Sequence, residues 1–252
     1  MDTYSDYDFL CNEPYYMQGV GHINNPTLRD IRKTTYHMFS IFVNVISMEL
    51  EDYLAVDEVR EKYLNLPEPD REKLSYFEVI SLIDTYVMVS MLKFFISDEL
   101  DFSEDKTQIA FDIFSEASKK EKIGSINRDN FDDFRLFLKQ ILGIIKEEEK
   151  PKKFKNEYAK KMYEKMQEHQ KKEETKLDAN YTFDNMIKKY CTHNKVGINI
   201  LNVWDITYYQ FRAMFNEFDY GRQCDYSQMI AANTFSYSKP SDYQKNAYMK
   251  KI

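Results

Sequence analysis

The sequence has few of the residues that interrupt regular secondary structure, with six glycines and six prolines among 252 residues. So few breakers over this length argue against a turn-rich all-β fold and favour helices. Cysteine is also scarce. Because Cys11, Cys191 and Cys224 are odd in number and far apart, a disulfide framework is not expected, and free thiols suit a reducing compartment.

Long hydrophobic runs and basic clusters are missing as well. The most apolar window, residues 86–96, is short and contains Lys93, so it does not predict a membrane span. Residues 1–10 are acidic and polar, and we expect no secretory leader there. The net charge of −7 disfavours binding to nucleic acid. We therefore expect neither a membrane nor a nucleic-acid partner.

Apolar and aromatic residues, in contrast, are abundant. They make up 43% of the chain and include 20 tyrosines and 18 phenylalanines, enough for a sizeable core. Many of them recur at spacings of three and four, which is typical of amphipathic helices. This pattern predicts a mainly α fold with helices over residues 28–47, 48–64, 74–97, 131–145 and 181–220, the last interrupted by a loop with Asn194 and Gly197.

Two segments depart from the helical pattern. Gly19 and Gly21 indicate either a tight turn between short strands or a close backbone approach, in an extended N-terminal arm. Thr27 and Asp30 have the spacing of a capping box at the start of the first helix. Residues 98–127 alternate apolar and acidic residues and predict a short hairpin.

A run of charge divides the chain. Residues 146–177 contain 11 lysines and 8 glutamates with few apolar residues, which predicts a solvated helical linker. The predicted organisation is an N-terminal helical domain over residues 1–145, this linker, and a smaller C-terminal helical segment with an aromatic tail over residues 178–252.

No motif for catalysis, metals or cofactors emerges. Cys191 and His193 are two apart, but no second pair completes a zinc site. Gly19 and Gly21 lack the third glycine of a dinucleotide-binding loop, and the phosphate-loop motif is absent. We expect no metal, no cofactor and no enzymatic activity. The alternative is an enzyme whose site combines scattered residues, such as Cys11 and His22.

Two aromatic segments are candidates for protein binding, because tyrosine and tryptophan combine a large apolar area with a polar tip. One is the N-terminal arm, and the other begins at Trp204. Ordinary core packing is the alternative for both. The candidate protein-binding residues are Tyr15, Tyr16, His22, Arg29, Trp204, Tyr208 and Tyr209.

The same segments carry a family resemblance. Residues 21–31 have the pattern Gly-x-Ile-x-x-Pro-Thr-Leu-x-x-Ile, and residues 203–211 read Val-Trp-Asp-Ile-Thr-Tyr-Tyr-Gln-Phe. Both resemble tail assembly chaperones encoded by tailed phages and prophages of Gram-positive bacteria. The resemblance implies a helical, non-enzymatic protein that binds the tape measure protein in the host cytoplasm and is absent from the finished particle.

A structural virion component is the main alternative, either a connector or a neck or tail completion protein. The extended arm and aromatic tail would then make contacts between subunits of a homo-oligomer, and the protein would remain in the particle.

Overall fold

The computed structural model describes residues 4–66, 71–105, 108–115, 121–144 and 182–232. The chain divides into two compact units. One comprises Met1–Ile144 with Trp204–Gln210, and the other comprises Ile145–Val203 with Phe211–Ile252. The charged segment 146–177 lies outside the described residues, so the linker and the division into domains predicted from the sequence stay predictions.

The helices of the first unit surround an aromatic core. They are α1 (Leu28–Thr34), α2 (Tyr36–Ser47), α3 (Leu50–Leu54), α4 (Asp57–Leu64), α5 (Tyr76–Ile83), α6 (Thr85–Phe95) and α7 (Phe131–Ile141). Two further helices are α8 (Phe183–His193), in the second unit, and α9 (Tyr208–Ala232), of which residues 211–232 belong to the second unit. Short 3-10 turns cover Asp8–Leu10, Arg71–Lys73 and Val203–Asp205.

The first unit also contains two antiparallel sheets. One pairs β1 (Tyr15–Met17) with β2 (Gly21–Ile23), and the other has the order β3 (Glu99–Asp105), β4 (Gln108–Phe114) and β5 (Lys122–Asn127). The prediction of a mainly α fold is therefore wrong, and the class is mixed α and β. The predicted hairpin is confirmed by β3 and β4, in which Phe102 lies opposite Phe111. The third strand of this sheet, β5, was not predicted, because Gly124 and Ser125 interrupt the apolar alternation.

A backbone hydrogen bond at Gly19 connects the two sheets. The amide of Ser125 donates to the carbonyl of Gly19 at 2.9 Å, so β5 meets the turn between β1 and β2. Gly19 and Gly21 have φ values of 79° and 112°, which confirms the predicted tight turn. The capping box of Thr27 and Asp30 is also confirmed.

Three predicted helices are each broken into two. The first is interrupted at Thr35, which has φ 81° and caps α2 by accepting a hydrogen bond from the amide of Met38. The second breaks between α3 and α4, and the third breaks at Asp84. No glycine or proline marks these breaks, so composition could not predict them. The last helix, in contrast, is longer than predicted, because α9 continues past residue 220 to Ala232.

The core of the first unit joins its helices to the larger sheet. Phe77 of α5 lies 5.1 Å from Phe131 of α7 and 6.0 Å from Phe111 of β4, measured between ring centroids. All three rings are buried. Because each ring buries a large apolar area, these contacts fix the distance between the two helices and the sheet.

The second unit is held by aromatic packing between two helices. Phe211 of α9 is fully buried and contacts Phe183 and Tyr190 of α8, at 5.5 and 5.9 Å between ring centroids. Tyr190 also contacts Phe218, at 5.6 Å.

Candidate protein-binding site

A short segment from the C-terminal half of the sequence packs on the N-terminal arm. We call Trp204–Gln210 the strap; it belongs to the first unit. Thr27 and Thr207 form an isolated antiparallel bridge. The amide of Leu28 donates to the carbonyl of Ile206 at 3.0 Å, and the amide of Tyr208 donates to the carbonyl of Pro26 at 2.8 Å. The two segments that carry the family resemblance are thus joined to each other.

Side chains reinforce this junction. The guanidinium of Arg29 donates from Nε and Nη2 to one carboxylate oxygen of Asp205, at 2.9 and 2.6 Å. The side chain of Gln210 donates to the carbonyl of Leu10 at 2.7 Å. Arg29 therefore has a partner within its own unit, although about half of its side chain is exposed.

A capping box starts α9 within the strap. The amide of Thr207 donates to the side-chain oxygen of Gln210 at 2.8 Å, and the amide of Gln210 donates to the hydroxyl of Thr207 at 3.1 Å. This arrangement satisfies two amides that a helix start would otherwise leave without acceptors. The spacing Thr-x-x-Gln was the sequence signal for this helix start, and sequence reasoning missed it.

Several candidate tyrosines lie in packing positions. Tyr15 is buried, its hydroxyl donates to the carbonyl of Asp8 at 3.0 Å, and burial raises its pKa to about 12. Tyr208 packs edge-on against Phe39, at 5.1 Å between centroids, and Tyr209 lies 5.5 Å from Phe9. These contacts account for the aromatic pattern of both segments by packing within the unit.

The remaining candidates are more exposed. Tyr16 and His22 face each other across the small hairpin, with ring centroids 5.3 Å apart. The backbone amide and Nδ1 of His22 lie 2.9 and 3.1 Å from one oxygen of the buried Asp98. Trp204 is partly exposed within the 3-10 turn that opens the strap.

A cleft of about 700 Å³ lies elsewhere in the first unit, and none of the seven candidate residues lines it. Its volume is in the range of ligand and peptide pockets, about 300–1,000 Å³. The side chains around it come from the segment before β1, the segment between β2 and α1, and helices α1, α2 and α6. They are Asn12, Glu13, Pro14, Asn24, Asn25, Pro26, Thr27, Asp30, Lys33, Thr34, Met38, Phe42, Tyr86, Ser90, Lys93 and Phe94.

The cleft combines an apolar wall with charged groups of both signs. Met38, Phe42 and Phe94 contribute to the wall, and Tyr86 is 76% exposed there. Lys33 donates to a carboxylate oxygen of Asp30 at 3.2 Å.

Partial burial acts to raise the pKa of Asp30. The hydrogen bonds from Thr27 and Lys33 outweigh this effect and lower the pKa of Asp30 below its usual value. Asp30 is therefore a fixed negative charge beside the cleft at neutral pH.

The side-chain oxygen of Asn25, in the cleft wall, has no hydrogen-bond partner among the described residues. Asn25 is only 6% exposed, and its amide nitrogen donates to the carbonyl of Cys11 at 3.3 Å. Its amide oxygen is buried and accepts no hydrogen bond from the described residues. A buried acceptor in this state costs about 1–3 kcal/mol, so a donor entering the wall from water or a ligand would be stabilising.

The sequence contained a weak signal for the cleft. Tyr86 and Lys93 carry polar groups within the predicted helix over residues 74–97, which contains the most apolar window of the chain. They lie seven residues apart, so they share one face of α6. The other side chains come from separate segments, and only tertiary structure brings them together.

Over the described ranges, no helix has the length and apolar character needed to cross a membrane. In the same part of the chain, no three His, Cys, Asp or Glu side chains converge to form a metal site.

Comparison with known protein families gives a match over part of the chain. The family model of the YomV second domain matches residues 170–252, about a third of the chain. The matched stretch includes α8 and α9 and extends beyond the described residues on both sides. No curated protein and no solved structure matches the chain. The similarity to YomV points to a phage-derived protein, whereas the assignment to tail assembly stays a prediction.

Proposed function

We propose that the protein is a phage tail assembly chaperone that binds the tape measure protein during tail morphogenesis, and that the cleft of the first unit holds a helical segment of this client. The observation that carries the proposal is the apolar wall of the cleft, where the ring of Tyr86 is 76% exposed. A large exposed aromatic ring beside a cavity is typical of a binding anchor.

The chemistry of the cleft suits recognition of an amphipathic helix. Tyr86, Ser90 and Lys93 recur at helical spacing along α6 and form one wall. Apolar client residues would pack against the aromatic rings, while polar flanks would meet Lys33, Lys93 and Glu13. In this mode of binding, anchors at helical spacing supply most of the affinity.

The similarity to YomV supports the phage origin on which this proposal depends. The proposal includes the expectations that the protein is not an enzyme, uses no cofactor and acts in the host cytoplasm.

Co-expression with the tape measure protein of the same phage would test the proposal. We expect a soluble complex on pull-down and size exclusion, with the client insoluble when expressed alone. Tyr86→Ser should weaken the complex at least about tenfold, as expected for an aromatic hot spot. Tyr7→Ser is the matched control, because Tyr7 is 81% exposed but does not line the cleft.

Two results would contradict the proposal. One is equal weakening by Tyr86→Ser and Tyr7→Ser, which would exclude the cleft as the binding site. The other is a monodisperse homo-oligomer that binds no client and is detected in purified virions by immunoblotting. That result would identify the protein as a structural virion component instead.

A further inference from the structure

The second unit contains a groove between its two described helices. It has a volume of about 390 Å³ and is lined by residues of α8 and by residues 215–222 of α9. Along α8, Met186, Lys189 and His193 follow one another at spacings of three and four, so they lie on one helix face. This face is about 10 Å long, or two helical turns.

The floor of the groove is apolar and well supported. Met186, Phe215 and Phe218 line it. The Phe218 ring lies 5.6 Å from the buried Tyr190, which packs in turn on Phe211. The floor is therefore fixed by the same aromatic contacts that hold the helices together.

Two positively charged side chains lie at the rim of this groove. Lys189 and Arg222 are exposed, and neither forms an ion pair with a carboxylate within residues 182–232. The guanidinium of Arg222 lies 5.9 Å from the centre of the Phe218 ring. In contrast, the neighbouring Lys188 is paired with Asp184 at 2.6 Å and does not line the groove.

The rim also contains one acid and one imidazole. A carboxylate oxygen of Asp219 accepts a hydrogen bond from the side chain of Gln223 at 2.9 Å. His193 lies at the end of α8 and also lines the groove. The rim thus has more positive than negative groups around an apolar floor.

We propose that this groove binds an acidic amphipathic helix of a partner protein. Apolar residues of that helix, three and four positions apart, would occupy the floor over two turns. Carboxylates on its flanks would pair with Lys189 and Arg222, which have no such partner within the described part of the unit. Complementary charge of this kind selects the partner and sets its orientation. The proposal does not depend on the cleft or on its client.

Fluorescence anisotropy with two labelled synthetic helices of about five turns would test the proposal. Both peptides carry leucines at helical spacing; one has glutamate at the other positions, and its match has lysine there. We expect the full chain to bind the glutamate helix and to bind the lysine helix at least about tenfold more weakly.

Charge reversal in the protein supplies the matched comparison. Lys189→Glu combined with Arg222→Glu should weaken binding of the glutamate helix at least about tenfold. Lys188→Glu combined with Lys195→Glu changes the net charge by the same amount, but at positions outside the groove. This control should change the affinity for the glutamate helix by less than about twofold. Met186→Ser should weaken binding several-fold through the apolar floor alone. Circular dichroism would verify that each variant is folded.

Three results would overturn the proposal. Equal weakening by both double variants would show that only the overall charge matters. Equal binding of the two peptides would show that the rim does not select acidic partners. Binding of duplex DNA that requires Lys189 and Arg222, with no binding of the glutamate helix, would assign the rim to phosphate groups.

Discussion

Removal of the buried Arg135 should destabilise the first unit more than any surface change. Arg135 lies in α7, is 3% exposed and reaches the C-terminus of α2. Its Nε donates to the carbonyl of Ile46 at 3.1 Å, and its Nη2 donates to the carbonyl of Met48. The last carbonyls of a helix have no partner within the helix, and a cation near them also complements the helix dipole.

The expected loss follows from these contacts. Truncation to alanine leaves two carbonyls without their donor, at about 1–3 kcal/mol each where they remain buried. It also removes the guanidinium from the face of the Tyr76 ring, 4.7 Å away. Glu49 and Asp132 lie 3.2 and 3.1 Å from the guanidinium, but both are mostly exposed, so their loss as partners adds little. We expect a loss of about 3–5 kcal/mol in the free energy of unfolding.

Urea unfolding followed by far-UV circular dichroism would measure this loss. The matched control is Arg60→Ala on the exposed surface of α4, which should change the free energy of unfolding by less than about 0.5 kcal/mol. A loss below about 1 kcal/mol for Arg135→Ala would refute the reasoning, because it would mean that the carbonyls find water or that the contacts contribute little net stability.

Three further predictions concern the backbone and the tyrosines of the first unit. Gly124→Ala should lower the free energy of unfolding by about 2–3 kcal/mol, because its new methyl group would overlap the carbonyl of Gly19. Thr35→Gly should be about 1–2 kcal/mol more stable than Thr35→Ala, because only glycine accepts φ 81° and ψ 142° without strain. Burial raises the pKa values of Tyr15 and Tyr76 from 10 to about 12. The contribution of these neutral hydroxyls to the free energy of unfolding should therefore be fully present below pH 10 and be lost as the pH rises through 12.

Each of these has its own measurement. Thermal unfolding of Gly124→Ala with an unchanged midpoint would contradict the close approach of the two backbones. For Thr35, equal urea midpoints of the glycine and alanine variants would exclude backbone strain. Between pH 8 and pH 11, each buried tyrosine should cost roughly 1 kcal/mol of stability, because its hydroxyl ionises only in the unfolded chain. Tyr76→Phe should reduce this pH dependence, and an unchanged pH dependence would refute the assignment.

Local sequence patterns predicted those features whose causes are local. The capping box of Thr27 and Asp30 depends on side chains three residues apart, and the turn at Gly19 and Gly21 depends on conformations that glycine accepts readily. Alternation of apolar residues likewise predicted the pairing of β3 with β4. In each case the interacting groups are neighbours in sequence, so the sequence alone contained the relevant geometry.

Features that depend on distant residues could not be predicted in this way. Strand β5 has little alternation of its own and is fixed by β4 and by the carbonyl of Gly19. No glycine or proline lies at Thr35, so composition does not predict the break between α1 and α2.

The cleft shows the same limit, because the side chains that line it come from separate segments. Local propensity and residue spacing account for the helix-rich character, the caps and the tight turn. Tertiary structure alone decided that Tyr15 is buried while Tyr86 is exposed, because burial depends on what packs against a ring and not on the ring itself.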